Sequence, residues 1–411
     1  MTIRTIFTTG RLRGFVAALA LCCAAVGGIV APPAIAGGLF LSEFAVPNAG
    51  IAGAGANAKA DDATTVTTNP AGMTRLKGNA LTLGAGLLLP SVEFDPDPTP
   101  ISGGDGGEQA GPAPILSLFY AHKLTEDLSI GASLVSFSGT ALDPDDDWAG
   151  RFFVQEIEFL TITANPGIGY RINDWFSVGA GAILTYAKME FTLAAPPPAG
   201  TGRVDIDADD FAMGYTLSVL FEPSERTRFG ILYASEVDLV LEGDVTLSPP
   251  GIGVGIDLGL PLAQTVRGSV YHELDDQWAL LGSVAWEDWS TLASQFVSTE
   301  AGSTEIPRNW EDVWHFAGGV QYRPADGWML QGGIAYDTSP VDEEDRTPDL
   351  PVDRQIRYAV GAEYDWSETQ TIGVSFVYAD LGDAEIERTL FSGEYAENDF
   401  FFFGVHSKWR W

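Results

Sequence analysis

Ile356-Arg357-Tyr358-Ala359-Val360-Gly361-Ala362-Glu363-Tyr364-Asp365-Trp366 is the stretch that decides the architecture. Ile356, Tyr358, Val360, Ala362, Tyr364 and Trp366 share one face, and Arg357, Ala359, Gly361, Glu363 and Asp365 take the other. A period of two marks a β-strand with unlike environments on its two sides. A one-sided soluble sheet would give the same alternation. Aromatics at the ends of the apolar face point instead to a strand that crosses a membrane, with its rings at headgroup level and its polar face toward a lumen.

The same pattern recurs on either side. In 313–323, Trp314, Phe316, Val320 and Tyr322 oppose His315, Gln321 and Arg323. In 226–242, Phe229, Ile231, Tyr233, Val237, Leu239 and Leu241 are expected on one face, with Arg228, Glu236, Asp238 and Glu242 on the other. In the closing stretch, Phe403, Val405, Trp409 and Trp411 oppose His406, Lys408 and Arg410. Membrane strands need ~9–11 residues. Fourteen candidates lie near 79–93, 114–124, 128–138, 153–172, 175–193, 208–222, 226–242, 262–273, 277–290, 313–323, 327–337, 355–366, 370–381 and 399–411. Short turns, such as Asn173-Asp174 and Ser367-Glu368, follow the even strands. Long connections at 94–113, 139–152, 194–207, 243–261, 291–312, 338–354 and 382–398 follow the odd ones. This predicts an all-β fold: a 14-stranded antiparallel transmembrane β-barrel over residues 79–411, with short periplasmic turns and long external loops. The even count leaves both termini on the periplasmic side. Trp411, a terminal aromatic on an alternating strand, resembles the signal read by the barrel assembly machinery.

The N-terminus supplies the export signal that such a barrel requires. Arg4, Arg11 and Arg13 precede an apolar run from Gly14 to Val30, and Ala34-Ile35-Ala36 is a small-x-small cleavage site. Residues 1–36 therefore read as a secretory signal peptide with maturation at Gly37. Cys22 and Cys23 both fall inside it, so disulfides and cysteine metal sites are excluded from the mature chain. Removing three arginines and no acid takes the formal charge from −34 to −37, which excludes nucleic acid as a partner. No apolar run of ~18 residues follows, so no transmembrane helix is expected. Acidic runs such as Asp143-Pro144-Asp145-Asp146-Asp147 read as solvated loops, or as sites where divalent cations bridge to outer-membrane lipid and lipopolysaccharide. His122, His272, His315 and His406 are scattered, with no HExxH or GxSxG. No enzyme activity, catalytic residue, cofactor or metal is expected.

Between leader and barrel lies GGLFLSEFAVPNAGIAGAGANAKADDATTVTTNPAGMTRLKG, residues 37–78. It is too broken for a long helix and does not alternate like a strand. A small-residue segment ahead of a barrel fits the lumen, so it reads as a plug. Its large anchors are Leu39, Phe40, Leu41 and Phe44. Asn69-Pro70-Ala71 is the turn that hands it to the first strand, with Asn69 able to hydrogen-bond inside the barrel.

Several segments together resemble the long-chain fatty acid and hydrophobic-compound transporter family of Gram-negative outer membranes (FadL/TodX). They are Asn69-Pro70-Ala71 after Ala60-Asp61-Asp62-Ala63, Trp148-Ala149-Gly150-Arg151, Asn165-Pro166, Trp175 to Gly181, Asn309-Trp310-Glu311-Asp312, Ala335 to Val341, and Pro351-Val352-Asp353-Arg354. The resemblance implies an N-terminal hatch and passive uptake of long-chain fatty acids or related hydrophobic compounds. Ligand would be captured at external loops and leave sideways at a kink in the third strand, here Ser136-Phe137-Ser138-Gly139. Gly in a strand marks a bend or bulge, in keeping with a kink. Family members place cations in the lumen for the ligand carboxylate. Here the Lys-x-Glu pattern is Lys188-Met189-Glu190 followed by Phe191, and the second basic position falls near Ile306 with Arg308 close by. The ligand-binding residues expected are Lys188, Phe191 and Arg308. This departure leaves open an importer of neutral or aromatic hydrocarbons without a carboxylate clamp. A general porin for polar solutes is the other alternative.

Overall fold

The computed structural model describes residues 40, 47–136, 138–195, 202–249, 251–300 and 302–411. The expected leader, together with Leu39, Leu41, Phe44 and Phe137, lies outside the described residues.

Among the described residues, twenty strand segments form one antiparallel sheet. They are β1 (Ala80–Pro96), β2 (Ala113–Lys123), β3 (Leu128–Val135), β4 (Gly139–Leu142), β5 (Glu156–Asn173), β6 (Phe176–Ala194), β7 (Arg203–Ser224), β8 (Thr227–Ala234), β9 (Val240–Ser248) and β10 (Ile252–Gly259). After them come β11 (Thr265–Glu273), β12 (Trp278–Glu287), β13 (Ser294–Thr299), β14 (Gly302–Pro307), β15 (Val313–Tyr322), β16 (Trp328–Asp337), β17 (Gln355–Ser367), β18 (Gln370–Asp380), β19 (Ile386–Arg388) and β20 (Phe391–Arg410). The wall runs β1, β2, β3, β5, β6, β7, β8, β11, β12, β15, β16, β17, β18, β20, which is fourteen positions. β20 then pairs back with β1 from Ala80↔Arg410 to Pro96↔Gly393, closing the barrel. Closure pairs the last strand with the first, so neither is left unpaired along this seam.

Alternation sets which face looks outward. On β17, Tyr358, Val360, Tyr364 and Trp366 are exposed while Arg357 and Glu363 are buried. On β20, Phe401, Phe403 and Val405 are exposed, and Phe402 and His406 are buried. Trp278 stacks on Tyr322 at 4.2 Å and Trp328 meets Tyr364 at 4.8 Å, both on the side of the short turns. These pairs form an aromatic girdle of the kind that sits at a membrane interface.

Two expectations change. The strands extend well into the regions read as long loops. β9 pairs with β10 and with the start of β7, and β13 pairs with β10 and β14. β7 alone has 22 residues, on the order of 70 Å of chain against a ~30 Å hydrocarbon core. Its acidic first half, Asp205 to Asp210, therefore stands above the membrane, where water tolerates polar residues and the ladder continues. The second change is in 226–242. Phe229 and Ile231 are exposed, but Val237, Leu239 and Leu241 are buried. The chain leaves the ladder after Ala234 and re-enters at Val240, so the apolar side turns from the outside to the inside.

Among the described residues, the small-residue N-terminal segment forms four short helical turns, Pro47–Ile51, Ala56–Lys59, Thr65–Thr68 and Pro70–Arg75. Besides the bonds within these turns, several of their backbone groups bond to inward-facing residues of the wall. Gly55 N donates to Ser283 Oγ at 2.9 Å, Arg228 donates to the carbonyls of Ala58 and Lys59 at 3.1 and 3.0 Å, and Ser129 Oγ donates to Met73 O at 3.2 Å. A Cβ added to Gly230, Gly333, Gly169 or Gly179 would overlap backbone atoms of Asn57, Ile51, Pro70 or Ala71. At these four positions the wall is bare of side chains and the two backbones meet directly.

Candidate functional site

Two largely apolar cavities lie among the inward-facing residues. The upper one, about 190 Å³, is lined by Phe159, Met189, Phe191, Ile206, Leu258 and Val297, with Arg308, Asp349 and Gln295 as its polar corner. The alternation of β6 explains its chemistry: Met189 and Phe191 face in. Lys188 immediately precedes Met189 and shares the parity of Glu190, so it faces the other way, where it is half-exposed and paired with Glu190 and, at 3.9 Å, with Asp207. The structure thus brings Phe191 and Arg308 together and leaves Lys188 apart.

Arg308 is fully engaged. Nη1 and Nη2 form a bidentate pair with Asp349 at 3.0 and 2.7 Å. Nη1 also donates to Thr347 Oγ1 at 2.6 Å, and Nε and Nη2 donate to Gln295 Oε1 at 3.0 and 2.9 Å. Those bonds account for all five N–H groups of a guanidinium. Burial pushes the Asp349 carboxyl up, but the neighbouring Arg308 charge and hydrogen bonds outweigh it, so the group titrates below its ordinary value. Asp349 and Thr347 come from the connection between β16 and β17, which offered no local pattern to identify them.

The lower cavity, about 140 Å³, is lined by Phe40, Val66, Ile183, Leu232, Val237 and Leu262. Its polar end carries Arg267 and Glu287, paired at 3.3 Å. Trp289 Nε1 donates to the same carboxylate at 3.1 Å. Trp289 also packs against Phe40 with ring centroids 4.9 Å apart and against Trp310 at 5.6 Å.

Asn69 is fully buried. Its Nδ2 donates to Asn57 O at 2.6 Å and Val219 O at 3.1 Å, and its Oδ1 accepts from Ala71 N at 3.1 Å. Pro70 and Ala71 rest against Gly169 and Gly179.

The third wall strand is interrupted at the place expected for a kink. β3 pairs with β5 up to Val135↔Thr163, and pairing resumes at Gly139↔Leu160. Four steps along one strand meet three along the other, which is a one-residue bulge. Ser138 is buried, with its Oγ 2.8 Å from Thr161 Oγ1. On the other side, the ladder between β2 and β3 stops at Leu118↔Leu134. Among the described residues, Ala113–Ser117 of β2 have a ladder partner on β1 but none on β3 or β4. Phe40 forms an antiparallel bridge with Ser138 at this interruption, next to Ser136 and Gly139.

Residues 27–399 match the family described as outer membrane protein transport protein (OMPP1/FadL/TodX). The long-chain fatty acid transport protein of Escherichia coli O6:H1 is 26% identical over 421 residues, covering 92% of each chain. A FadL homologue of Pseudomonas aeruginosa superposes with a TM-score of 0.82 at 19% identity, covering 89% of this chain and 99% of that one. The toluene transporter TodX of Pseudomonas putida gives 0.70 at 15% identity, covering 89% and 98%.

Proposed function

Because the chain belongs to the outer membrane protein transport family (OMPP1/FadL/TodX), we propose that it is a passive uptake channel for hydrophobic compounds. Residues 1–36 are removed on export, residues 37–78 form a plug in the lumen, and residues 79–411 are the channel wall. The C-terminal strand ending at Trp411 addresses the chain to the barrel assembly machinery.

Ligand enters the upper cavity beside Phe191 and moves to the lower one past Phe40. It then leaves sideways between β2 and β4, above Leu118↔Leu134, into the lipid. No energy source is required. Burying a methylene is worth about 0.8 kcal/mol, so a twelve-carbon chain carries about 10 kcal/mol out of water. The barrier is the polar outer leaflet, and an apolar path through the barrel avoids it. Release requires a second state that binds ligand less tightly, since only differential affinity shifts a conformational balance. Displacement of Phe40 from Ser138 and Trp289 supplies that state.

The observation that carries this reading is the position of Phe40. It lines a cavity and is bridged to the interruption in the wall. The test is a tether. Bridged antiparallel residues have Cα atoms within the span of a disulfide, and both natural cysteines precede Gly37. Phe40→Cys with Ser138→Cys, oxidised, is expected to abolish uptake of a radiolabelled long-chain compound, and reductant is expected to restore it. Unchanged uptake with the bond formed would overturn the lateral route. Steady small-ion current through the wild-type protein in a planar bilayer would favour a porin for polar solutes.

A further inference from the structure

Arg308 is the only cation among the described residues lining the upper cavity, and its charge is already answered from within the chain. Asp349 grips the guanidinium through both carboxylate oxygens, and Gln295 and Thr347 take the remaining N–H groups. Both side chains of the pair are nearly buried, at 14% and 8% exposure. A ligand carboxylate arriving here finds no free donor on Arg308. It also meets the Asp349 carboxylate, and two like charges brought close in a poorly solvated site repel strongly. The rest of the lining is largely apolar, so a neutral hydrophobic molecule pays no such penalty.

We propose that Asp349 is a specificity residue: an internal counter-ion that occupies the place of a ligand carboxylate and sets the upper cavity to accept hydrophobic compounds without a negative charge. The inference rests on the uptake reading above and narrows its substrate class. It also accounts for a charged corner in an otherwise greasy cavity without assigning Arg308 to the ligand.

The test compares tritiated dodecanoate with dodecan-1-ol, which share a chain length and differ in charge, on the full-length protein purified in a non-ionic detergent. Asp349→Asn keeps the shape of the side chain and frees a guanidinium donor and its charge. It is expected to tighten dodecanoate binding by about tenfold or more, the scale of one charge-assisted hydrogen bond. Dodecan-1-ol binding is expected to change by less than about threefold. An unchanged ratio, or weaker dodecanoate binding, would overturn the proposal. If Asp349→Asn does not assemble, Arg308→Met with Asp349→Leu removes both charges together. Dodecanoate binding unchanged in that double variant supports the proposal, and a tenfold loss makes Arg308 a carboxylate clamp and overturns it. Wild-type protein that binds neither compound would instead overturn the uptake reading itself.

Discussion

Replacing Asn69 by Ala should loosen the N-terminal segment without opening the barrel wall. The side chain makes three hydrogen bonds in a site with no exposure. Ala71 N has a second acceptor, Ser218 Oγ at 3.1 Å, so its loss is covered. Val219 sits mid-ladder between β6 and β8, so the loss at its carbonyl is the smaller of the remaining two. The carbonyl of Asn57 loses its shortest partner outright. Leaving a buried polar group unsatisfied costs about 1–3 kcal/mol, and the two carbonyls together give about 2–4 kcal/mol. At 1.4 kcal/mol per tenfold, the balance between seated and unseated segment shifts by roughly thirty- to several-hundredfold. Two assays follow this: small-ion conductance in a planar bilayer and amide hydrogen exchange over residues 47–76. Both should rise, while the heat-dependent gel shift of the folded barrel stays as in the wild type. Asn69→Asp keeps the acceptor for Ala71 N but turns a carboxylate oxygen toward the carbonyls of Asn57 and Val219, and should be at least as disruptive as Asn69→Ala. Wild-type conductance and protection in Asn69→Ala would refute the role given to this side chain.

Three other outcomes are expected. Gly230→Ala places a methyl group on the carbonyl of Asn57, so the segment must shift, and the variant should reproduce the conductance of Asn69→Ala with an intact barrel; normal conductance would show that the contact is not a close seat. Lys408→Met leaves the buried carboxylates of Asp62 and Glu363, now 3.0 and 2.8 Å from the ammonium, without their shared partner. Breaking a buried pair costs about 3–5 kcal/mol, so its unfolding midpoint should fall clearly, and a midpoint equal to wild type would speak against the network. Asp349 titrates below its ordinary 3.8 in the folded protein, so its contribution to stability is present above that value and is lost as pH falls through the lower, native one. The difference in midpoint between wild type and Asp349→Asn should be flat from pH 5 to 8 and shrink only in stronger acid; a break near pH 6 would contradict the sign.

Much of the barrel was legible because lipid and lumen demand opposite side chains. β17 shows this residue by residue, from Tyr358 outward to Arg357 inward. The same logic fails between Phe229 and Leu241. Lipid and the apolar interior call for the same residue types, so a chain that leaves the ladder and changes face keeps its apolar spacing. Lys188 is hard to place from sequence for a related reason: the Lys-x-Glu pattern names a cation, while the parity of Met189 and Phe191 decides which way it points. Arg308 is legible as a cation beside the Asn-Trp-Glu-Asp segment, but its partner is not. Asp349 lies 41 residues away in an acidic connection, and no local period reports a contact made across the top of a barrel. Phe40 was named as an anchor, whereas its bridge to Ser138 needed the fold.

The contacts of the N-terminal segment also constrain the order in which the molecule is built. Asp62 comes before the first strand, yet it pairs with Lys408 in the last, almost the whole chain away. Ala80 and Arg410 likewise meet only when the two ends arrive together. Pairings of such sequence separation form late and slowly. Sealing the seam and settling the segment are therefore one terminal event, and a nascent chain lacking its final strand holds neither.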